Sequence, residues 1–538
     1  MDIFFPPRKI SAKFGLAASY MNGETIMGLE RLFRDSVRKH PKKTAVIFEK
    51  QRINYQTLDI RSGQVAGMLR DILKEEQKKV LILAHNSILC LEVMLGCFKA
   101  NMIACPVNWR LSPYELSTIL MQDRFELVFF DRACCALLQR TMEICDLQIE
   151  QIRLGGLKYE SRIEFFSYNH QELEQITKRD KNDVAIQYFT SGTTGIPKGV
   201  LQSHDSLLQY VNSYTRVSQW QSDAVYQTSA NLFHLSGFSC LISLFLGNAL
   251  VLMDHFSMDK FLSAAVNEGS TRISLVPTLI NAILRDPRLP NYDLSHVEKI
   301  VYGGSAMLPS QIQEVSQTLS CQLEIAYGTT ETCCISVLTS EDHQMILDHR
   351  ALERRLSSVG RPLPEVHLRV EGEDGQELPP NEIGELLVKS PFLYRGYSGA
   401  NVPKRLTADG YHRTGDVGYV DEEGYVYIVD RKNDMIVCGG ENIYPKEVEI
   451  CIAKMANCVN QVSVVGQPDP IWGEIVVAFV VLKPGMTATE DDIITFCKHN
   501  IASYKKPKRV FFVDQLPLNA NGKVDKGVLR HWLQRETQ

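Results

Sequence analysis

Strand-like apolar runs alternate with helical patterns along the chain as far as about residue 360. The runs are Val80-Leu81-Ile82-Leu83, Glu126-Leu127-Val128-Phe129-Phe130, Val184 to Phe189, Arg272 to Val276, Lys299 to Tyr302 and Leu323 to Tyr327. Such alternation predicts α/β units built on parallel sheets. Several runs end directly in Gly-, Pro- or Thr-rich loops. Ligands in open α/β sheets sit at the carboxyl ends of strands, so chemistry is expected in these loops.

The texture changes after about residue 360. Gly384-Glu385-Leu386-Leu387-Val388 and Tyr425-Val426-Tyr427-Ile428-Val429 read as short strands of a smaller β-rich subdomain. The polar junction Asp430-Arg431-Lys432-Asn433-Asp434 follows. Beyond it the pattern predicts a helix over Tyr444 to Met455, strands over Val462 to Val465 and Ile475 to Leu482, and a second helix opened by Thr489-Glu490-Asp491-Asp492. That last start has an N-cap threonine and acids in its first turn. Residues 434–538 therefore read as a separate small α+β domain.

A chain of 538 residues exceeds one ordinary core, so several domains are expected. With 58 basic and 63 acidic side chains the net charge is −5, and no polybasic block stands out. Nucleic acid and anionic membrane surfaces are thus disfavoured as partners. The N-terminus has no apolar core of a secretory signal. The longest mostly apolar stretch, Cys240 to Met253, is shorter than the ~20 residues a membrane span needs. No C-x-x-C pair occurs among the 14 cysteines, so zinc or redox motifs find little support and reduced thiols in a cytoplasmic protein are expected.

The densest chemical signal is Thr190-Ser191-Gly192-Thr193-Thr194-Gly195-Ile196-Pro197-Lys198-Gly199, directly after the Val184 to Phe189 run. Glycines let backbone N–H groups approach an anion closely, hydroxyls add donors, and Lys198 supplies a compact positive charge. This is the composition needed to hold a triphosphate. It departs from the Walker pattern, because Pro197 takes the place of the second glycine and Gly199 follows the lysine where Ser or Thr should stand.

The string resembles the signature loop of the adenylate-forming superfamily, which groups acyl-CoA synthetases, peptide-synthetase adenylation domains and firefly-type luciferases. Companion motifs occur in the family's order from about residue 30 to 530. Asn231-Leu232-Phe233-His234-Leu235-Ser236-Gly237 resembles the segment beside the acyl pocket. Amino-acid-activating relatives carry an aspartate at the position of His234, to pair with the substrate's ammonium. A buried ammonium without a counter-charge is costly, so its absence favours an acid lacking an α-amino group. Tyr302-Gly303-Gly304-Ser305-Ala306 resembles the segment lining the adenine and the acyl carboxylate. In Tyr327-Gly328-Thr329-Thr330-Glu331-Thr332 the resemblance implies Tyr327 against the adenine, Thr330 on the α-phosphate and Glu331 on Mg²⁺. A carboxylate near a phosphate is repelled unless a cation lies between them.

Further along, His412-Arg413-Thr414-Gly415-Asp416 resembles the ribose motif, with Asp416 holding the two hydroxyls and Arg431 joining it. Within Asp434 to Pro445, Gly439 and Gly440 match the glycines that border the channel for the pantetheine thiol of coenzyme A. Trp472-Gly473-Glu474 matches as well and reads as architectural. Asn521-Gly522-Lys523-Val524-Asp525-Lys526 resembles the motif that carries the adenylation lysine, which places that role on Lys523. Asn433 departs from the Lys or Asp usual at the hinge; asparagine tolerates unusual backbone angles, so it is compatible with hinge motion without the usual charge there.

The resemblance thus implies an α/β fold: a large N-terminal domain (1–430) of two α/β subdomains plus the small β-rich subdomain, a hinge at 431–433, and a smaller mobile C-terminal α+β lid (434–538). It implies an ATP-dependent carboxylic acid–CoA ligase using Mg²⁺ and coenzyme A, with catalytic roles for Lys523, Glu331, Thr194, Lys198 and His234. The first step is attack of a carboxylate on the α-phosphorus of ATP; the barrier is electrostatic and positional, so catalysis is charge neutralisation and alignment. A fatty acid is the favoured substrate and an aryl acid the rival. The alternative acceptor is an acyl carrier protein, and the expected assembly is a monomer or homodimer.

Overall fold

Each of the six apolar runs forms a strand, with ends within two residues of those expected. The computed structural model describes residues 21–22, 25–26, 28–156, 160, 179–191, 197–304, 307, 309–349, 351–399, 405–438, 441–519 and 523–536. Contacts group residues 1–367 with 388–412 in one unit, and 368–387 with 413–538 in a second. The small β-rich region thus shares a unit with the C-terminal residues.

Two large sheets organise the first unit. The seven-stranded sheet runs, in spatial order, Gly396–Tyr397, Pro197–Ser203, Val184–Ser191, Ile103–Pro106, Lys79–Leu83, Leu127–Phe130, Glu150–Arg153. From Val184–Ser191 onward the strands are parallel; the first two are antiparallel additions. The chain lays down Lys79–Leu83, places Ile103–Pro106 on one side, and then returns to place Leu127–Phe130 on the other. Strand order therefore reverses at Lys79–Leu83. That strand is buried almost throughout, as expected when helices cover both faces of a parallel sheet. The helix Ile88–Ala100 is capped by Ser87, ends on left-handed Asn101, and is buried along nearly its whole length.

The nine-stranded sheet runs Arg361–Pro362, Cys333–Leu338, Gln322–Thr329, Lys299–Gly303, Arg272–Leu275, Val225–Thr228, Ala249–Leu252, Thr44–Phe48, Gln51–Asn54. The six strands from Gln322–Thr329 to Thr44–Phe48 are parallel. Here the order reverses at Val225–Thr228, which pairs with Ala249–Leu252 on one side and Arg272–Leu275 on the other. The apolar stretch Cys240 to Met253 falls into the end of the helix Phe238–Phe245 and the buried strand Ala249–Leu252. Among the described residues no helix is long and apolar enough to cross a membrane.

The second unit holds a four-stranded sheet (His367–Glu371, Gly384–Lys389, His412–Val420, Val426–Arg431) and a five-stranded one built around Gly473–Leu482. Side chains of that central strand alternate between two cores. Val476, Ala478 and Val480 join one; Val477, Phe479 and Val481 join the other. Successive side chains of a strand point to opposite faces, so one strand can serve both layers. The helix Glu490–Asn500 starts as expected, with a reciprocal capping box between Thr489 and Asp492.

Candidate active site

The phosphate-loop run begins and ends on two paired strands. Val184–Ser191 pairs antiparallel with Pro197–Ser203, and the register places Thr190 opposite Lys198 and Ser191 opposite Pro197. Gly192, Thr193 and Thr194 lie outside the described residues, as do Ser305, Gly439 and Gly440, so the ladder up to the tip is what the structure shows of this loop. Gln187 Nε2 donates to Asp123 Oδ2 at 2.5 Å, and Lys79 pairs with the same carboxylate, which ties the hairpin base to the sheet.

Glu331 occupies another hairpin. Gln322–Thr329 turns back into Cys333–Leu338 with a bulge between Tyr327 and Gly328. The turn is closed by Thr329 and Thr332: the Thr329 N–H donates to Thr332 Oγ1 at 3.0 Å, and the Thr332 N–H to the Thr329 carbonyl at 3.2 Å. Gly328 must be glycine, because a Cβ there would stand 1.8 Å from the Cys333 carbonyl oxygen. On the neighbouring strand Gly303 is opposite Ala326, and a Cβ would meet the Ala326 carbonyl oxygen at 2.7 Å. Gly304 follows with φ +80°, a left-handed conformation that suits glycine. Gly303 and Tyr327 thus lie near the carboxyl ends of adjacent strands.

Tyr397 joins the two hairpins. Its hydroxyl donates to Glu331 Oε1 at 2.9 Å, the Lys198 ammonium lies 5.7 Å from its ring centroid, and its strand pairs with Pro197–Ser203. Burial, reinforced by the Glu331 charge, raises the Tyr397 hydroxyl far above its ordinary value, so it keeps its proton and goes on donating. The Tyr394 N–H donates to the Glu331 carbonyl at 2.8 Å, and buried Gln202 donates to the Thr330 carbonyl at 2.8 Å. A hard carboxylate with one oxygen oriented by a hydroxyl is a donor that Mg²⁺ accepts, since Mg²⁺ takes one or two carboxylates alongside substrate phosphates. Glu331 therefore fits the metal. When bound, Mg²⁺ supplies positive charge between the carboxylate and the phosphates.

His234 lies where the nine-stranded sheet reverses its order, in the loop after Val225–Thr228. It caps the short 3-10 helix Leu235–Gly237, and its ring meets Phe233 edge-on at 4.4 Å. Buried Asn86, at the end of a strand of the other sheet, clamps this loop. Asn86 Nδ2 donates to the carbonyls of Ala230 and Met253, both at 2.9 Å, and its Oδ1 accepts the Leu232 N–H at 2.9 Å.

In the second unit Asp416 and Arg431 face each other across the hairpin of His412–Val420 and Val426–Arg431, and Arg431 Nε lies 2.7 Å from Asp416 Oδ1. Gly415, at φ +75°, permits the turn of backbone before Asp416. Lys523 is near both. Lost solvation lowers its ammonium from the ordinary lysine value, Arg431 adds to the shift, and Asp416 opposes it. The Lys523 turn is fixed by Asn519, whose N–H donates to the Lys523 carbonyl at 2.7 Å and whose Oδ1 accepts the Lys523 N–H at 3.1 Å.

The structure thus assembles Thr190, Lys198, Thr330 and Glu331 through Tyr397 and Gln202 in the first unit, and Asp416, Arg431 and Lys523 in the second. Sequence reading missed Tyr397, Gln202 and Asn86. Tyr397 sits in a Gly-Tyr pair with no chemical signature, and Gln202 lies in a strand of mixed composition where one more polar residue does not stand out. Asn86 offered only a faint signal, as a polar residue three positions beyond the apolar run Val80 to Leu83.

A doubly wound pair of sheets with a carboxylate oriented beside a lysine-bearing strand pair suits an enzyme that activates its substrate with a nucleoside triphosphate. The model of the AMP-binding enzyme family matches residues 33–398, and that of the AMP-binding enzyme C-terminal domain matches 447–523. The chain belongs to this family, and with it to the adenylate-forming superfamily, as an AMP-forming acid–thiol ligase that works with ATP, Mg²⁺ and coenzyme A. It is 31% identical over 501 residues to the fatty acid–[acyl-carrier-protein] ligase ScoC of Streptomyces coeruleorubidus, covering 91% of this chain and 93% of that protein. It is 30% identical over 504 residues to the indoleacetate–CoA ligase of Aromatoleum aromaticum, covering 92% and 96%. Among solved structures, ATP-bound MatB from Rhodopseudomonas palustris superposes with a TM-score of 0.84 at 27% identity, covering 95% of this chain and all of that one.

Proposed function

We propose that this chain converts a fatty acid, ATP and coenzyme A into an acyl-CoA thioester, AMP and pyrophosphate in the cytoplasm, in two steps through an acyl-adenylate. The observation that carries the reading is the Tyr397 hydroxyl, which fixes Glu331 beside the hairpin of Thr190 and Lys198. In this reading the hydroxyls and N–H groups of Thr190 to Thr194 and Lys198 neutralise the β- and γ-phosphates, Glu331 holds Mg²⁺, and Thr330 addresses the α-phosphate. Tyr327 packs on the adenine, which Gly303, Gly304 and Ser305 border, and Asp416 with Arg431 takes the ribose. Lys523 meets the charge that develops as the carboxylate attacks the α-phosphorus. His234 lies beside the acyl chain. The C-terminal residues then rotate about 431–433, withdrawing Lys523 and presenting Gly439 and Gly440 to the thiol. Such a lid also keeps water from the mixed anhydride.

A second reading changes only the acceptor: ScoC is named as a ligase to an acyl carrier protein, so a phosphopantetheinyl carrier could replace coenzyme A. The indoleacetate ligase likewise keeps an aryl acid open as substrate. Carboxylate-dependent exchange between ATP and pyrophosphate, run across fatty and aryl acids of graded length, tests the reading. Exchange with no acid would sink adenylation. Exchange with aryl acids alone would replace the fatty acid, and exchange without AMP release on adding coenzyme A would move the acceptor to a carrier protein. Lys523→Ala is expected to suppress exchange far more than thioester formation from supplied acyl-adenylate.

A further inference from the structure

The first unit has two sheets and therefore two places where strand order reverses. Crevices at the carboxyl ends of strands beside such reversals are the usual ligand sites of open α/β sheets. The reversal in the nine-stranded sheet carries the His234 loop. The reversal in the seven-stranded sheet has no part in the chemistry described above, yet it gathers a different donor set. His85 follows Lys79–Leu83, and Asp131 and Cys134 follow Leu127–Phe130, the neighbour across the reversal.

His85 Nδ1 lies 2.7 Å from Asp131 Oδ2, and Cys134 Sγ lies within 4.8 Å of both side chains' donor atoms. The supporting contacts hold the donors in place. The His85 ring packs on Trp109 at 4.0 Å between centroids, and the Asp131 carboxylate accepts the backbone N–H groups of His85 at 2.8 Å and Cys134 at 2.9 Å. Cys134 is buried, while His85 and Asp131 keep 29% and 24% of their side chains exposed, which leaves a solvent path to the cluster.

We propose that His85 Nδ1, Asp131 and Cys134 Sγ form a binding site for a borderline divalent cation of the Zn²⁺ kind, distinct from the Mg²⁺ position at Glu331. Imidazole, thiolate and carboxylate together suit Zn²⁺ or Co²⁺, whereas Mg²⁺ prefers oxygen alone. Binding requires the thiol to lose its proton and His85 Nδ1 to be free of one. The thiol proton leaves to solvent as the metal–sulfur bond forms, and the imidazole moves its proton from Nδ1 to Nε2. Ligand bonds of about 2.0–2.3 Å require the His85–Asp131 gap to open by roughly half an ångström, with water in the fourth position. The cation would brace the segment that carries Asn86, one residue beyond His85, and through it the His234 loop.

The test titrates CoCl₂ into the chelator-treated full-length protein and records the absorption spectrum. One equivalent is expected to give a thiolate-to-cobalt charge-transfer band that Zn²⁺ abolishes and excess Mg²⁺ leaves intact. Cys134→Ser should remove the band and His85→Ala should weaken binding at least about tenfold, whereas Cys135→Ser should change neither; circular dichroism confirms that each variant is folded. No band in the wild-type protein, or a band that persists in Cys134→Ser, overturns the proposal, and the wild-type titration decides even where a variant fails to fold. The readout does not involve ATP, so loss of the adenylation reading would leave this result standing.

Discussion

At the residue scale, Tyr397 shows how a side chain outside every motif can set up one inside. Its hydroxyl orients Glu331 while its ring faces the Lys198 ammonium. Tyr397→Phe keeps the ring and removes only the hydroxyl. We expect an adenylation rate lower by about tenfold and a higher Mg²⁺ requirement, in line with the loss of a group that orients a metal ligand; pyrophosphate exchange titrated with Mg²⁺ measures both. Lys523 makes a prediction about pH. Its ammonium is lowered from the ordinary lysine value by lost solvation and by Arg431. The charged form is the one that neutralises the attacking carboxylate, so adenylation should fall as pH rises through this lowered pKa. The alkaline limb should begin below the pH at which a solvated lysine titrates. Thioester formation from supplied acyl-adenylate should lack that limb, and Lys523→Arg, whose guanidinium stays charged, should abolish it.

At the element scale, one polar residue just beyond a strand end links the two large sheets. Asn86 makes three hydrogen bonds to Ala230, Leu232 and Met253 and is 2% exposed. Removing it leaves buried backbone groups without partners, each costing about 1–3 kcal/mol. Asn86→Ala should therefore lower the denaturation midpoint of the first unit markedly and loosen the His234 loop, which hydrogen exchange at Leu232 would register. An unchanged midpoint and unchanged exchange would show that the clamp is not needed. The hairpin of Gln322–Thr329 makes the complementary point. Its bulge brings the Cys333 carbonyl so close to Gly328 that Gly328→Ala must displace the turn bearing Glu331. Activity should suffer along with stability.

At the scale of the whole molecule, labour is divided by topology. In the first unit the phosphate hairpin belongs to the seven-stranded sheet and the His234 loop to the nine-stranded one. His234→Ala should accordingly alter the KM for the acid, and the ranking of acids, much more than the KM for ATP. A parallel rise in both would place His234 in nucleotide binding instead. The second unit carries Asp416, Arg431 and Lys523 together and takes in residues 368–387 from earlier in the chain. Its two cores share the strand Gly473–Leu482, so mutations there act on both faces at once.

The sequence by itself determined six strands of the first unit and the capped helix at Thr489, and it singled out Lys198, Glu331, Asp416 and Lys523 as candidates. Those signals are local: apolar runs follow strand burial, caps follow backbone valence, and motif residues lie a few positions apart. Only the tertiary structure decided which distant residues meet. The sequence pattern gave no warning that Tyr397 would reach Glu331, that Asn86 would clamp a loop on the other sheet, or that His85 would face Asp131, 46 positions further along, and Cys134. Strand order sets such meetings. Parallel neighbours are joined by long helical crossovers, so residues adjacent at strand ends are remote in the chain. The phosphate-loop motif is legible in the sequence because its ten residues are consecutive; the side chains that brace the strands flanking it come from elsewhere in the sheets.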